Sequence, residues 1–146
     1  MHTPEQKTSG TVLLVDRAER IAQEAKELED AGYTVISATS IAEGMKMSLE
    51  QKPSMIVAEV MLDKPDDGFV FAYRLKKNEV TANIPLMLLS SVFQKTGKVF
   101  DLNSPESRQW IKAEEYLDRP VTSERLVMRL QEMMSHQHSH HEAVIR

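Results

Sequence analysis

The stretch SMIVAEVMLDKPDDGF, residues 54–69, carries the acids Glu59, Asp63, Asp66 and Asp67 and then Gly68. Glu59 closes the apolar run Met55-Ile56-Val57-Ala58. A carboxylate cannot be buried in such a run without a partner, so Glu59 is expected where the run emerges from the core. Similar polar residues follow the other short apolar runs. Asp16 and Arg17 come after Val12–Val15, Ser90 and Ser91 after Leu86–Leu89, and Arg119, before Pro120, after Tyr116-Leu117. Singly, each has a plain structural use: Asp16 could cap a helix and Ser90 could end a strand. Brought together they form an acid–base pair, a second acid, hydroxyls and a second base, a set able to bind a ligand or to pair internally.

Whether they meet depends on the elements that carry them. Runs of four or so apolar residues bounded by turn signals read as strands buried on both faces. The runs at 12–15, 34–36, 55–58 and 86–89, with a weaker fifth at 116–117, alternate with helix signals. Ile21, Ala25 and Leu28 recur at helical spacing and Gly32 follows as a C-cap. Ser40-Ile41-Ala42-Glu43 is a capping box ahead of Met45 and Leu49. Phe69, Ala72 and Leu75 share a face after Gly68, and Thr122 can cap a last helix with the stripe Leu126, Val127, Leu130 and Met134. This alternation predicts an α/β domain, a doubly wound five-stranded parallel sheet covered on both sides. In such sheets ligands bind beyond the carboxyl ends of the strands, which is where the polar residues fall. The domain is expected over 11–134, after a disordered N-terminus, 1–10, and before a disordered His-containing tail, 135–146. Residues 91–114 read as a long insertion between strands 4 and 5, anchored by Trp110.

The chain's 146 residues fit one domain, with 41% hydrophobic and 27% charged residues. Its net charge of -4, from 18 basic and 22 acidic side chains, argues against nucleic-acid and anionic-membrane partners. With no cysteine, thiol catalysis and thiolate metal sites are excluded. No signal-like or membrane-length apolar segment is visible, so a cytoplasmic protein is expected.

LLVDRAER, VAEV with DDGF behind it, IPLMLLSS and YLDRPVTSERL resemble, in order, the receiver domains of bacterial two-component response regulators. The resemblance covers roughly residues 11–134, apart from the 91–114 stretch and one extra residue before Asp67-Gly68, and implies the flavodoxin-like receiver fold and a role in phosphorelay signal transduction. In that family an aspartate ending the third strand accepts the phosphoryl group; Glu59 stands there. Two adjacent acids hold Mg²⁺; here they are Asp16 and Arg17. A Ser or Thr that takes a phosphoryl oxygen is matched by Ser90, a lysine before proline by Arg119, and the switch aromatic by Tyr116. The resemblance also implies signalling through the face of the fourth helix, fifth strand and fifth helix, which places the 91–114 insertion and Tyr116 at the expected partner or homodimer contact.

The family's three carboxylates and one lysine sum to a charge of about -2, which favours a divalent cation. Here Asp16 and Glu59 face Arg17 and Arg119, so an ion pair of Glu59 with either arginine is expected and no metal. Glutamate is also one methylene longer than aspartate, and a shift of about 1 Å can cost on the order of a hundredfold in rate. The implied protein is a stand-alone, non-enzymatic pseudo-receiver that binds signalling proteins, such as a histidine kinase or a downstream effector, without phosphorylation. Its Glu59 pair either stabilises a dead pocket or imitates a phosphorylated state. The alternatives are an active receiver phosphorylated on Glu59 or a loop aspartate with Mg²⁺, held by Asp16 with Asp63, and a flavodoxin-like binding protein or enzyme. The DKPDDG segment reads as turn chemistry rather than a calcium loop. His136, His138, His140 and His141 read as a solvated tail, weak Ni²⁺ or Zn²⁺ binding being the alternative.

Overall fold

The computed structural model of the chain describes residues 10–91 and 112–145, with side chains described as far as residue 135. The elements are β1 (Thr11–Val15), α1 (Ala18–Asp30), β2 (Thr34–Ala38), α2 (Ile41–Gln51), β3 (Met55–Glu59), α3 (Asp67–Lys77), β4 (Leu86–Ser90), β5 (Glu115–Asp118) and α4 (Ser123–Ile145). The strands form one parallel sheet in the order β2-β1-β3-β4-β5, the doubly wound arrangement expected from the alternating pattern.

Local chemistry sets the element ends. Ser40 Oγ accepts from the Glu43 backbone N–H at 3.1 Å while Glu43 Oε1 accepts from Thr39 N–H at 3.0 Å, a closed capping box. Thr122 Oγ1 accepts from Arg125 N–H at 3.1 Å and starts α4. Gly32, at φ +104, turns the chain out of α1, and its N–H and that of Tyr33 satisfy the Glu29 and Leu28 carbonyls.

Side chains alternate across a strand, so each strand feeds two cores. Val12, Leu14, Met55, Val57, Met87, Leu89 and Leu117 pack with Leu28 of α1 and Leu126, Leu130 and Met133 of α4. Leu13, Val15, Ile56, Ala58, Leu86 and Leu88 pack on the other face with Phe71, Ala72 and Leu75 of α3. Gly44 of α2 lies against this second core, where an added Cβ would come within 3.1 Å of the Phe71 ring.

The last helix differs from the sequence expectation. It continues past Met134 to Ile145, through the segment read as a disordered tail, because no glycine or proline between 123 and 145 interrupts it. The expectations for the disordered N-terminus, for most of the 91–114 insertion with Trp110, and for the four tail histidine side chains fall outside the described residues. Among the described residues no helix is long and apolar enough to cross a membrane.

Candidate functional site

Glu59 is the last residue of β3 and is fully buried, at 0% exposure. By strand alternation it points to the same side as Met55 and Val57, toward α1 and α4. Its two oxygens receive five donors. Arg20 Nη1 at 2.8 Å and Arg119 Nε at 2.9 Å donate to Oε1; Met61 N–H at 2.8 Å and the Ser91 N–H and hydroxyl, both at 3.0 Å, donate to Oε2. A buried carboxylate is tolerated only with such complete pairing.

Asp16, just past β1, is also buried. Oδ1 accepts from Arg17 N–H at 2.7 Å and from Arg20 Nη1 at 3.3 Å, and Oδ2 from Arg119 Nη2 at 2.7 Å. Arg119 spreads its fork further, its Nη1 donating to Glu24 Oε2 of α1 at 2.6 Å. One guanidinium thus holds carboxylates from β1, α1 and β3, the planar multidentate use to which arginine is suited. It stands before a cis peptide to Pro120. Burial, and then the hydrogen bond and charge of neighbouring Glu24, push the Asp16 carboxyl up to about 7 against the pull of Arg119 and the Arg17 N–H. Arg119 itself is held above its ordinary value, the carboxylates Glu24, Asp16 and Glu59 outweighing its desolvation.

The geometry reassigns the expected partners of Glu59. Arg119 is one of them, but Arg17 is not: its Nη2 donates to the Leu62 carbonyl at 3.1 Å instead. The second partner is Arg20, one helical turn into α1, because a residue at the N-cap position leaves the helix axis while residue 20 faces the sheet edge. Arg20 and Glu24 lie at i and i+4 on one face of α1, four and eight residues after Asp16, and this spacing is the sequence signal for both.

The other two expected residues lie on the opposite side. Ser90 ends β4 one residue before Ser91, so its side chain turns toward the α3 core, and Ser91 is the hydroxyl that reaches Glu59. The buried Tyr116 hydroxyl lies between Ser90 and Asp118, and its ring stacks on Phe69 with centroids 6.3 Å apart and planes 2° from parallel. Burial pushes the Tyr116 hydroxyl up to about 12.

The acids after Glu59 serve the turn. Asp67 Oδ2 accepts from Lys64 N–H at 2.9 Å, while Asp63 and Asp66 are exposed. Gly68 packs directly on the strand end: a Cβ there would lie 2.5 Å from Val60 Cα and 2.8 Å from the Glu59 carbonyl oxygen. The close approach, not a positive φ, requires glycine.

Mg²⁺ does not fit these residues. It needs free oxygen ligands in near-octahedral array, and guanidinium N–H groups point at both Asp16 oxygens and at Glu59 Oε1. Asp63 is exposed in the turn, and among the described residues no group of three or more His, Cys, Asp or Glu side chains could hold a metal ion.

No model of a known protein family matches the chain. Among curated proteins it is 31% identical over 107 residues to the DNA-binding dual master transcriptional regulator RpaA of Synechocystis, covering 73% of the chain and 41% of that relative. It is 29% identical over 125 residues to the phosphate regulon transcriptional regulatory protein PhoB of Pseudomonas aeruginosa, covering 85% of the chain and 51% of PhoB. To protein PilH of Pseudomonas aeruginosa it is 28% identical over 100 residues, 68% of the chain and 76% of PilH. The chain therefore spans about half or less of the two regulators. The CheY-like receiver domain protein of Methanospirillum hungatei superposes with a TM-score of 0.73 at 18% identity, over 91% of the chain and 99% of its own. The signal receiver domain of a Syntrophus aciditrophicus histidine kinase gives 0.70 at 20% identity, over 86% and 90%. At these identities the structural likeness concerns the fold.

Proposed function

The chain belongs to the receiver domains of two-component response regulators, and we propose that it acts there by protein contact alone, with a fixed charge at Glu59 where a receiver carries a phosphorylated aspartate. The observation that supports this is the occupancy of Glu59. A phosphoacceptor must offer a free carboxylate oxygen to the incoming phosphorus, and both oxygens here are directed at N–H and O–H donors. The donors are themselves anchored: Arg119 by Asp16 and Glu24, Arg20 by Asp16. Freeing Glu59 would strand two guanidiniums in a largely buried site.

Of the two roles open to such a pair, an imitation of the phosphorylated state is favoured by one observation. The Ser91 N–H and hydroxyl and the basic residue before Pro120 converge on Glu59 as donors would on a phosphoryl group, with Ser91 in place of Ser90 as the hydroxyl donor, and the Tyr116 hydroxyl is buried beside Ser90. The partner that reads this state is a signalling protein, a histidine kinase or an effector.

The test is intact-mass analysis after incubation with acetyl phosphate and Mg²⁺ at neutral pH. No mass change is expected, with Arg17→Asp/Glu59→Asp as the variant that moves the pocket toward competence. An added phosphoryl group in the wild type that disappears in Glu59→Gln overturns the reading.

A further inference from the structure

We propose that Arg20 is the pocket's built-in cation, standing in for the divalent ion of a receiver, so that a positive charge is permanently held between its acids and removal of Arg20 opens a place for a metal. The inference rests on the reading of Glu59 as unphosphorylated and adds what takes over the electrostatic work at the same site. Three features carry it.

The first is position. Arg20 Nη1 bridges Asp16 Oδ1 at 3.3 Å and Glu59 Oε1 at 2.8 Å, between the first-strand acid and the third-strand acid. The second is charge. Asp16, Glu24 and Glu59 set three carboxylates against the two guanidiniums of Arg20 and Arg119, which leaves one negative charge; without Arg20 there would be two. Arg17 is committed to the Leu62 carbonyl and does not enter this count. The third is access. Arg20 is 23% exposed, whereas Asp16 and Glu59 are 1% and 0%, and it lines a cleft of about 290 Å³ with Glu19, Gln23, Glu24 and Arg119. It is the one member of the bridge that reaches solvent, so truncating it gives an ion a route in.

A divalent ion entering the gap would find Asp16 Oδ1, left with only the Arg17 N–H, and Glu59 Oε1, left with only the Arg119 Nε–H, each with a lone pair released by Arg20, and could complete its shell with water, as Mg²⁺ commonly does with one or two carboxylates. Arg119 would still hold Asp16 Oδ2 and Glu24, so the acids would stay in place.

The experiment titrates Mn²⁺, followed by its EPR signal, into wild type, Arg20→Gln and Arg20→Gln/Asp16→Asn at about pH 8, where carboxylates are ionised. Melting in Mg²⁺ is compared with melting in EDTA. Wild type should bind no Mn²⁺ through Asp16 and should melt identically in both. Arg20→Gln should bind Mn²⁺ at least about tenfold more tightly than either other protein, and its Tm should rise in Mg²⁺. An Arg20→Gln protein that is unfolded in EDTA and folds on adding Mg²⁺ supports the proposal equally. Asp16-dependent Mn²⁺ binding by wild type overturns it, as does a folded Arg20→Gln with no gain. Should Arg20→Gln fold under neither condition, Arg20→Lys decides: a folded protein indifferent to Mg²⁺ supports a resident cation, and a Tm that rises with Mg²⁺ overturns it. Acetyl phosphate labelling is scored separately. A labelled wild type that binds no Mn²⁺ overturns the reading of Glu59 and leaves Arg20 standing, whereas Mn²⁺ bound by an unlabelled wild type overturns only Arg20.

Discussion

The carboxyl edge of the sheet has two sides that differ in kind. Toward α1 and α4 lie Asp16, Arg20, Glu24, Glu59 and Arg119, charges joined into one network. Toward α3 lie Ser90, Tyr116 and Phe69, neutral side chains that carry a ring stack and have no ion pair among them, with the exposed Asp118 carboxylate beside the Tyr116 hydroxyl. Ser90 and Ser91 are neighbours in sequence yet belong to opposite sides, because a strand turns alternate residues to alternate faces. The contrast has an energetic meaning. Breaking a buried ion network strands charges and costs several kcal/mol, while a neutral hydroxyl bond is worth about 1 kcal/mol. The charged side is therefore suited to holding one state and the neutral side to responding.

The largest effect is expected at Glu59. Glu59→Gln leaves Arg20 and Arg119 short of a counter-charge in a buried site and should lower stability by about 3 kcal/mol or more in urea unfolding. An unchanged midpoint would place Glu59 in solvent and erase the distinction between the two sides. Arg119→Lys comes next, with a loss of about 1–3 kcal/mol, since an ammonium cannot reproduce a fork that spans three carboxylates. Retention of full stability would show that point charge, not geometry, holds the network.

The charged side should also carry a pH signature that the neutral side lacks. Asp16 is raised from 3.8 to about 7, so the folded protein binds a proton across that window that the unfolded chain has released. Stability from this group is therefore present below about pH 4, falls as pH rises toward 7 and is level above it. Melting temperatures measured from pH 5 to 8 should decline, and Asp16→Asn should flatten the decline. A slope unchanged in Asp16→Asn would assign it elsewhere. The smallest effect is expected on the neutral side: Ser90→Ala should cost about 1 kcal/mol and leave the pH slope intact. A loss as large as that of Glu59→Gln would mean the two sides act as one unit.

Much of this fold was legible beforehand. Short apolar runs alternating with capped amphipathic segments admit few arrangements other than a covered parallel sheet, and the caps at Ser40 and Thr122 and the turn at Gly32 form as local rules require. Asp16, Glu59, Ser90 and Arg119 were placed at strand ends for the same reason: polar residues after a buried run must lie where the run ends. The helical continuation of α4 to Ile145 is not legible in the same way, because the polar composition of 135–145 suggests disorder although nothing in it stops a helix.

Pairing was decided elsewhere. Types and order alone determined that acids and bases would gather at one edge of a doubly wound sheet, since hydrophobic burial and chain reversal act on patterns. Only the tertiary structure decided that Glu59 is held by Arg20 and Arg119 and not by Arg17, that Glu24 joins them, and that Ser91 faces Glu59 while Ser90 faces Tyr116. Those choices depend on the angle at which α1 leaves β1 and on the face each strand end presents. A rotation of one residue, about 100° on a helix or 180° on a strand, exchanges one partner for another without altering the pattern that folds the chain.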